Sequence, residues 1–167
     1  MLNTDTAILL TQYNAWADRA LLAAVAQLPA EEVYRQRKTL FGSMLGTLNH
    51  NYQVDLIWQA HLLGKEHGFS NRRGVLHPVF DDLMKSQGEL DDWFIEWARS
   101  QDSTTLGEKI TFRFISGRIA EMPRGGILLH TINHKTYHRG WVSEMFYDIG
   151  EKPPETDLSV YLCEVRA

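Results

Sequence analysis

The chain has 167 residues, of which 44% are hydrophobic and 23% charged, and its formal net charge is −4 at pH 7. This length fits one globular domain over residues 1–167, and no apolar run is long enough to span a membrane. The acidic balance and the lack of a large Lys/Arg cluster argue against nucleic acid as a partner. Because no secretion signal is recognised and the single Cys163 cannot form an internal disulfide, we expect a cytoplasmic protein.

Four long segments have the three-to-four-residue apolar spacing of amphipathic helices. Their starts carry a Thr, Asp or Ser cap or an early Pro, and their ends are followed by Gly, Pro or a polar stretch. These signals predict helices at residues 4–28, 43–63, 78–100 and 123–149. The linker 29–42 has no clear period, 65–77 is polar and Gly-rich, and the tail 158–165 is predicted to be short, apolar and partly extended.

A small β-hairpin is predicted before the last helix. Ile110, Phe112 and Phe114 alternate with polar residues, which is typical of a strand, and a turn at Ser116-Gly117 precedes a return strand at 118–122. The fold class is therefore all-α, a four-helix bundle with one hairpin. The linkers after the first and third long helices are long enough to cross over the bundle rather than turn tightly.

The last helix carries two histidines on its apolar face. His134 and His138 project about 40° apart, one turn above the other. They lie inside an arc of about 120° that also holds the apolar residues of the segment, namely Ile127, Val142, Met145 and Ile149. A buried imidazole needs a partner for each ring nitrogen, and a shared metal ion supplies one for both residues.

A third histidine, His50, lies on an apolar stripe of the second helix with Val54 and Ile57. Three imidazoles leave coordination positions open, as in catalytic metal sites, and zinc, nickel and iron all accept such ligands. The HxxxH spacing alone is common and weak evidence. His61 lies about 16 Å along the helix from His50, too far to share its ion.

The other histidines and two aspartates are weaker candidates for metal ligands. His67 and His77 fall in a loop, and His130, at the edge of the apolar arc, is a pocket residue rather than a preferred ligand. Asp18 and Asp55 share no face with the chosen histidines on their helices, and a solvent-facing role is plausible for both. No phosphate loop, nucleophile elbow, CxxC pair or HExxH motif is present, so no built-in general base is evident.

Several strings together resemble one known family. They are Tyr13–Asp18, Phe41–Ser43, Thr47–His50, Asp55 with Trp58, His130–Gly140 and Gly150–Asp157. The combination of LNH, a late NHxTxHRG and a following GxxPPxTD is similar to the DinB/YfiT-like family of metalloproteins, which is distinct from the DNA polymerase sharing the DinB name. The resemblance covers about half of the chain and leaves out the third helix.

The resemblance implies a homodimeric four-helix bundle with one divalent metal ion, whose ligands fall on His50, His134 and His138. The wider superfamily includes enzymes that join bacillithiol, mycothiol or glutathione to electrophiles, and a few hydrolases or isomerases. This chain departs from the usual pattern at two positions, with Trp141 where relatives have Gln and Tyr137 where His is frequent.

We therefore expect a metal-dependent enzyme of the thiol S-transferase or hydrolase type acting on a small electrophile. Tyr13, Trp16 and Trp141 would line the cavity for the second substrate, with His130 nearby. The alternative is a non-catalytic, damage-inducible stress protein in which the metal only fastens the second helix to the last. A metal-free bundle with hydrogen-bonded histidines is a third hypothesis.

Overall fold

A computed structural model of the chain describes residues 2–166, most of which are helical. Four long helices form a bundle, and short elements fill the connections between them. In chain order the elements are α1 (Thr4–Val25), α2 (Ala30–Tyr34), α3 (Met44–Leu62), α4 (Phe80–Arg99), α5 (Ser103–Gly107), β1 (Lys109–Arg113), β2 (Ile119–Pro123), α6 (Arg124–Tyr147), α7 (Leu158–Val160) and a π-helical turn (Tyr161–Val165).

Helices α1 and α3 each pack against both α4 and α6. Helices α1 and α3, which follow one another along the chain as long helices, therefore lie at opposite corners of the bundle. The same holds for α4 and α6. Both linkers cross over, as their lengths predict. The predicted all-α class with one hairpin before the last long helix is confirmed.

The helix starts follow capping rules with small shifts from the predicted positions. The cap of α1 is Asn3 rather than Thr4 or Asp5, and its side chain accepts a hydrogen bond from the Thr6 amide. Ser43 caps α3 as predicted, accepting from the Gly46 amide at 2.9 Å. Helix α4 begins at Phe80, two residues after the predicted start, because Val79 still has an extended backbone.

Three short segments are helical where the sequence indicated none. Residues 30–34 and 103–107 each form one helical turn, and the prediction of a partly extended tail at 158–165 is wrong. The tail folds as a helix because Tyr161 is buried against Tyr13 and Trp16, with ring centroids 5.8 and 5.4 Å away. Segments of five to eight residues are too short for periodicity to reveal such tertiary packing.

Strands β1 and β2 pair antiparallel, with Phe112 opposite Ala120. Phe112 is buried and lies edge-on to Trp58 of α3, with ring centroids 5.2 Å apart. The hairpin leads directly into α6, because the Arg124 amide donates to the Glu108 carbonyl at 3.0 Å. Its turn therefore lies beside α3 and α6, the helices that carry the predicted metal ligands. Within residues 2–166, none of the helices combines the length and the hydropathy that crossing a bilayer requires.

Candidate metal centre

The structure brings His50 of α3 together with His134 and His138 of α6. One ring nitrogen from each lies within 4.8 Å of the others, and the Nε2 atoms of His50 and His134 are 3.2 Å apart. The ring centroid of His138 is 4.5 Å from that of His134 and 4.7 Å from that of His50. The three histidines selected by their positions on apolar helix faces thus form one cluster, which can hold a metal ion.

The orientation of His50 is fixed by a backbone carbonyl. Its Nδ1 lies 2.7 Å from the carbonyl oxygen of Arg72. A carbonyl only accepts, so Nδ1 carries the proton and the lone pair of Nε2 is directed at His134. A metal-binding histidine commonly has such a partner on its other ring nitrogen, because that bond fixes both the tautomer and the ring orientation.

The loop that supplies this carbonyl is fastened to α3 by two amide side chains. Asn49 donates to the His77 carbonyl at 2.9 Å and accepts from the His77 amide at 2.8 Å. Gln53 donates to the Asn71 carbonyl and accepts from the Gly74 amide. Because Asn49 and Gln53 flank His50 on its helix, the same turn of α3 presents the ligand and anchors the loop that orients it.

Burial keeps the histidines neutral. Desolvation, with smaller contributions from the neighbouring imidazoles, lowers the pKa of His134 to about 3. Desolvation and then His50 lower the pKa of His138 to about 4. The pKa of His50 is also lowered, chiefly by burial. At neutral pH all three retain the lone pairs that metal coordination requires.

The donor set fits a divalent transition metal. The nitrogen of His134 that faces His50 is Nε2, while its Nδ1, like that of His138, is buried without a hydrogen-bond partner among residues 2–166. Metal–nitrogen bonds of about 2.0–2.1 Å in a tetrahedral site would place two ligand nitrogens about 3.4 Å apart, close to the 3.2 Å between His50 and His134. Three imidazoles are a preferred set for zinc, nickel or iron and leave at least one position for a reactant.

Phe41 covers one side of the cluster. Its ring stacks on His50 at 4.0 Å and 15° and lies edge-on to His138 at 5.5 Å. The turn that delivers it uses Gly42, whose φ of +79° is strained for any other residue. Gly46 is equally necessary, since a Cβ there would collide with the Phe41 carbonyl. Phe41 lies outside every periodic segment, and only its place in the FGS string marks it.

Trp141 lies on the same side as Phe41. Its ring centroid is 4.6 Å from that of His138 and 5.8 Å from that of Phe41. It borders a separate surface groove with Leu40 and Glu144. The predicted proximity of Trp141 to the histidines is therefore present, but its ring covers the cluster rather than lining the cavity that reaches it.

The opposite side of the cluster opens into a cavity of about 500 Å³, within the usual range for small-molecule sites. His134 is the one member of the histidine cluster that lines it. His130, predicted as a pocket residue, also forms part of the wall and lies edge-on to Trp58 at 4.8 Å. His61 contributes to the same wall, a position that helical spacing from His50 did not suggest.

Tyr13 and Trp16, which we expected in the cavity wall, lie elsewhere. The Tyr13 hydroxyl donates to the Thr156 carbonyl at 2.9 Å, and both rings pack on Tyr161. Their face of α1 is covered by the C-terminal segment, so neither residue lines the cavity beside His134. The two aromatics fasten the tail to the bundle instead.

A buried ion cluster lies behind the histidines, and sequence reasoning missed it. Lys135, with 1% of its side chain exposed, has its Nζ within 2.6 Å of an Asp55 oxygen and 3.1 Å of an Asp91 oxygen, and it also pairs with Asp18. Arg139 donates to Asp18 at 3.0 Å. The solvent-facing role considered for Asp18 and Asp55 is wrong, because both carboxylates are buried where the four long helices meet.

The charges of this cluster do not balance if every group is ionised, since three carboxylates face two cations. Burial raises the pKa of Asp55 to about 6 and that of Asp91 well above its ordinary value, against the opposing effect of Lys135. The pKa of Asp18 is lowered, because Lys135 and Arg139 together outweigh its burial. The three carboxylates are thus strongly differentiated by their neighbours.

Comparison with known proteins agrees with this architecture. A family model described as the DinB family matches residues 1–164. The chain is also 27% identical to Protein DinB of Bacillus subtilis (strain 168) over 165 residues, which cover 95% of each protein. The family match includes all three clustered histidines and nearly the whole chain, and it agrees with the resemblance carried by the LNH and NHxTxHRG strings. The chain belongs to the DinB family.

Proposed function

We propose that this protein is a metal-dependent enzyme that transfers a small thiol to an electrophile, with hydrolysis as the related reaction when water replaces the thiol. The observation that carries the proposal is the position of His134, which belongs to the three-histidine cluster and also lines a cavity of about 500 Å³. A closed structural site would have no such opening on a ligand.

The residues around the cluster have distinct tasks in this reaction. His50, His134 and His138 would hold the metal ion, which supplies Lewis-acid activation that lowers the pKa of a bound thiol or water. The pKa of His130 is lowered by burial, so its imidazole is neutral at pH 7 and can accept the thiol proton. Trp58 and His130 both form part of the cavity wall.

The chemical step is a substitution at an electrophilic carbon. The thiol proton passes to His130, a carbon–sulfur bond forms, and the bond to the leaving group breaks with its electron pair. In the hydrolytic variant the attacking atom is the oxygen of water.

The test is conjugation of several thiols to a fluorogenic alkyl halide by metal-loaded protein. We expect His138→Ala to lose the activity and His67→Ala, altered in the loop outside the cluster, to retain it. Equal rates for wild type and His138→Ala would end the proposal.

A second candidate is a non-catalytic stress protein with a structural metal. It is favoured by the way the histidines join α3 to α6 and by the cover that Phe41 and Trp141 provide. Absorption spectra of cobalt-substituted protein separate the two candidates. A spectrum that changes when a thiol is added indicates an open coordination position, whereas an unchanged spectrum favours the structural role.

The homodimer, the cytoplasmic location and damage-inducible expression, all implied by sequence and family, stay predictions. Size-exclusion chromatography with light scattering tests the first of them. Zinc, nickel and iron remain equal candidates for the metal, and elemental analysis of untagged protein distinguishes them.

A further inference from the structure

The cavity beside the histidines carries positive charge on its wall. Arg72 and Arg118 line it, and no aspartate or glutamate does. Arg118 comes from the hairpin turn and Arg72 from the loop anchored on α3, so two unrelated segments bring guanidinium groups to one opening. Within residues 2–166 neither arginine forms an ion pair, in contrast to Arg19, Arg124 or Arg139.

Both guanidinium groups have a defined relation to the rest of the site. The Arg118 side chain is exposed, and its guanidinium lies over the Phe114 ring, 4.5 Å from the centroid, which holds it at the cavity wall. The Arg72 carbonyl orients His50, which places that residue directly beside the cluster. The positive charge of Arg72 also contributes to the lowered pKa of His134.

The remainder of the wall is largely apolar. Its apolar residues are Val54, Ile57, Trp58, Phe114 and Ile115, and Ser116, His61 and His130 complete it. A cavity with these apolar residues, His134 in its wall and two guanidinium groups without ion pairs fits a short aliphatic molecule with an anionic end. A planar guanidinium fork matches a carboxylate. A Gly-rich loop of the kind that surrounds phosphates is absent from the sequence.

We propose that this cavity binds a small thiol that carries a carboxylate, with the carboxylate held by Arg72 and Arg118 and the sulfur directed at the histidine cluster. The inference rests on the proposed function, because it is the thiol that must reach the position beside His134. It goes further by assigning the chemical class of that thiol and the two residues that select it.

A matched pair of probes tests the charge requirement. The thiols 3-mercaptopropionate and 3-mercapto-1-propanol have the same chain length and differ in one charged end group. Isothermal titration of the metal-free protein at neutral pH measures both affinities without any reaction. We expect the carboxylate to bind at least about tenfold tighter, as for a charge-assisted hydrogen bond at a partly open site.

Three variants assign that preference to residues. Arg72→Met and Arg118→Met each remove a guanidinium while keeping the backbone, including the carbonyl that orients His50, and each should reduce the preference several-fold. Together they should abolish it. Arg73→Met is the control, because Arg73 is exposed like Arg72 but does not line the cavity. It should keep the full preference.

Equal affinities of wild-type protein for the two thiols, no detectable heat with either, or a preference that survives in the double variant would overturn the inference. A separate measurement on cobalt-loaded protein keeps the proposed function distinct. If neither thiol produces a thiolate-to-metal absorption band while the carboxylate preference persists, the transferase proposal fails and the binding site stands. If both thiols produce the band and bind with equal affinity, the transferase proposal stands and the carboxylate preference of the cavity is refuted.

Discussion

The Nε2 atoms of His50 and His134 lie 3.2 Å apart although 84 positions separate the two residues in the chain. The hydrogen bond from Nδ1 of His50 to the Arg72 carbonyl makes Nε2 of His50 the acceptor nitrogen. At this distance that lone pair can take a hydrogen bond from the Nε2–H tautomer of His134, or both nitrogens can bind one shared cation.

Metal content should depend on each member of the cluster. Untagged wild-type protein is expected to contain about one divalent metal per chain, and His50→Ala or His138→Ala should reduce this severely, because losing one of three ligands leaves two imidazoles to hold the ion. Elemental analysis after gel filtration measures it. His77→Ala, outside the cluster, is the control and should keep the metal. Unchanged metal in His138→Ala would refute the assignment.

Lys135→Met should destabilise the fold by about 3 to 5 kcal/mol, because it leaves three buried aspartates without their shared cation. Urea unfolding followed by circular dichroism measures the free energy of unfolding. The matched control is Lys152→Met, which breaks an exposed pair with Glu155 and should cost less than about 1 kcal/mol. Similar losses for the two variants would contradict the buried cluster.

The stability of the protein should vary with pH through Asp55. Its pKa is raised from 3.8 in the unfolded chain to about 6, so the folded state binds the extra proton between these values. The associated stability is complete below about pH 4 and is lost as the pH rises through about 6, a change of about 3 kcal/mol. His134 and His138, whose pKa values are lowered from 6.5 to about 3 and about 4, act in the opposite direction over essentially the same range.

Comparison with Asp55→Asn isolates this contribution. The free energy of unfolding of wild type minus that of the variant should fall by up to about 3 kcal/mol between about pH 4 and 6.5. Asp92→Asn, at an exposed surface pair with Arg19, is the control for removing a carboxylate. Parallel profiles for wild type and Asp55→Asn would show that the buried carboxyl is ionised throughout.

Two helical glycines should respond to alanine in opposite directions. Gly88→Ala on α4 meets no heavy atom within 4 Å and should stabilise the protein by about 1 kcal/mol through helix propensity. Gly46→Ala on α3 collides with the Phe41 backbone and should destabilise it, moving the ring that stacks on His50. Thermal unfolding measures both changes, and equal shifts would exclude the tight turn at Phe41.

Periodicity was sufficient for the long helices and for the juxtaposition of the histidines. His50, His134 and His138 could be selected from sequence because each is a polar residue on an otherwise apolar face, a local anomaly that a helical wheel shows. The hairpin could also be predicted from the sequence, since Ile110, Phe112 and Phe114 alternate with polar residues. These signals depend only on neighbours along the chain.

The ion cluster depends on neighbours in space. Lys135 follows His134 immediately, and its partners Asp18, Asp55 and Asp91 come from three other helices. A single Lys or Asp on a helix is most often exposed, so each residue alone gave no reason to expect burial. Arg72 and Phe41 were missed for a related reason, because they lie in connecting segments without a period.

The succession of His134 and Lys135 has a mechanical consequence for α6. Side chains one residue apart point about 100° apart, and here one faces the histidine cluster while the next enters the ion cluster. Rotation of α6 about its long axis would displace both side chains at once, so the histidine cluster and the ion cluster both fix the rotational position of the helix. Loss of an aspartate on α1 or α4 can therefore disturb the geometry at which the imidazoles meet.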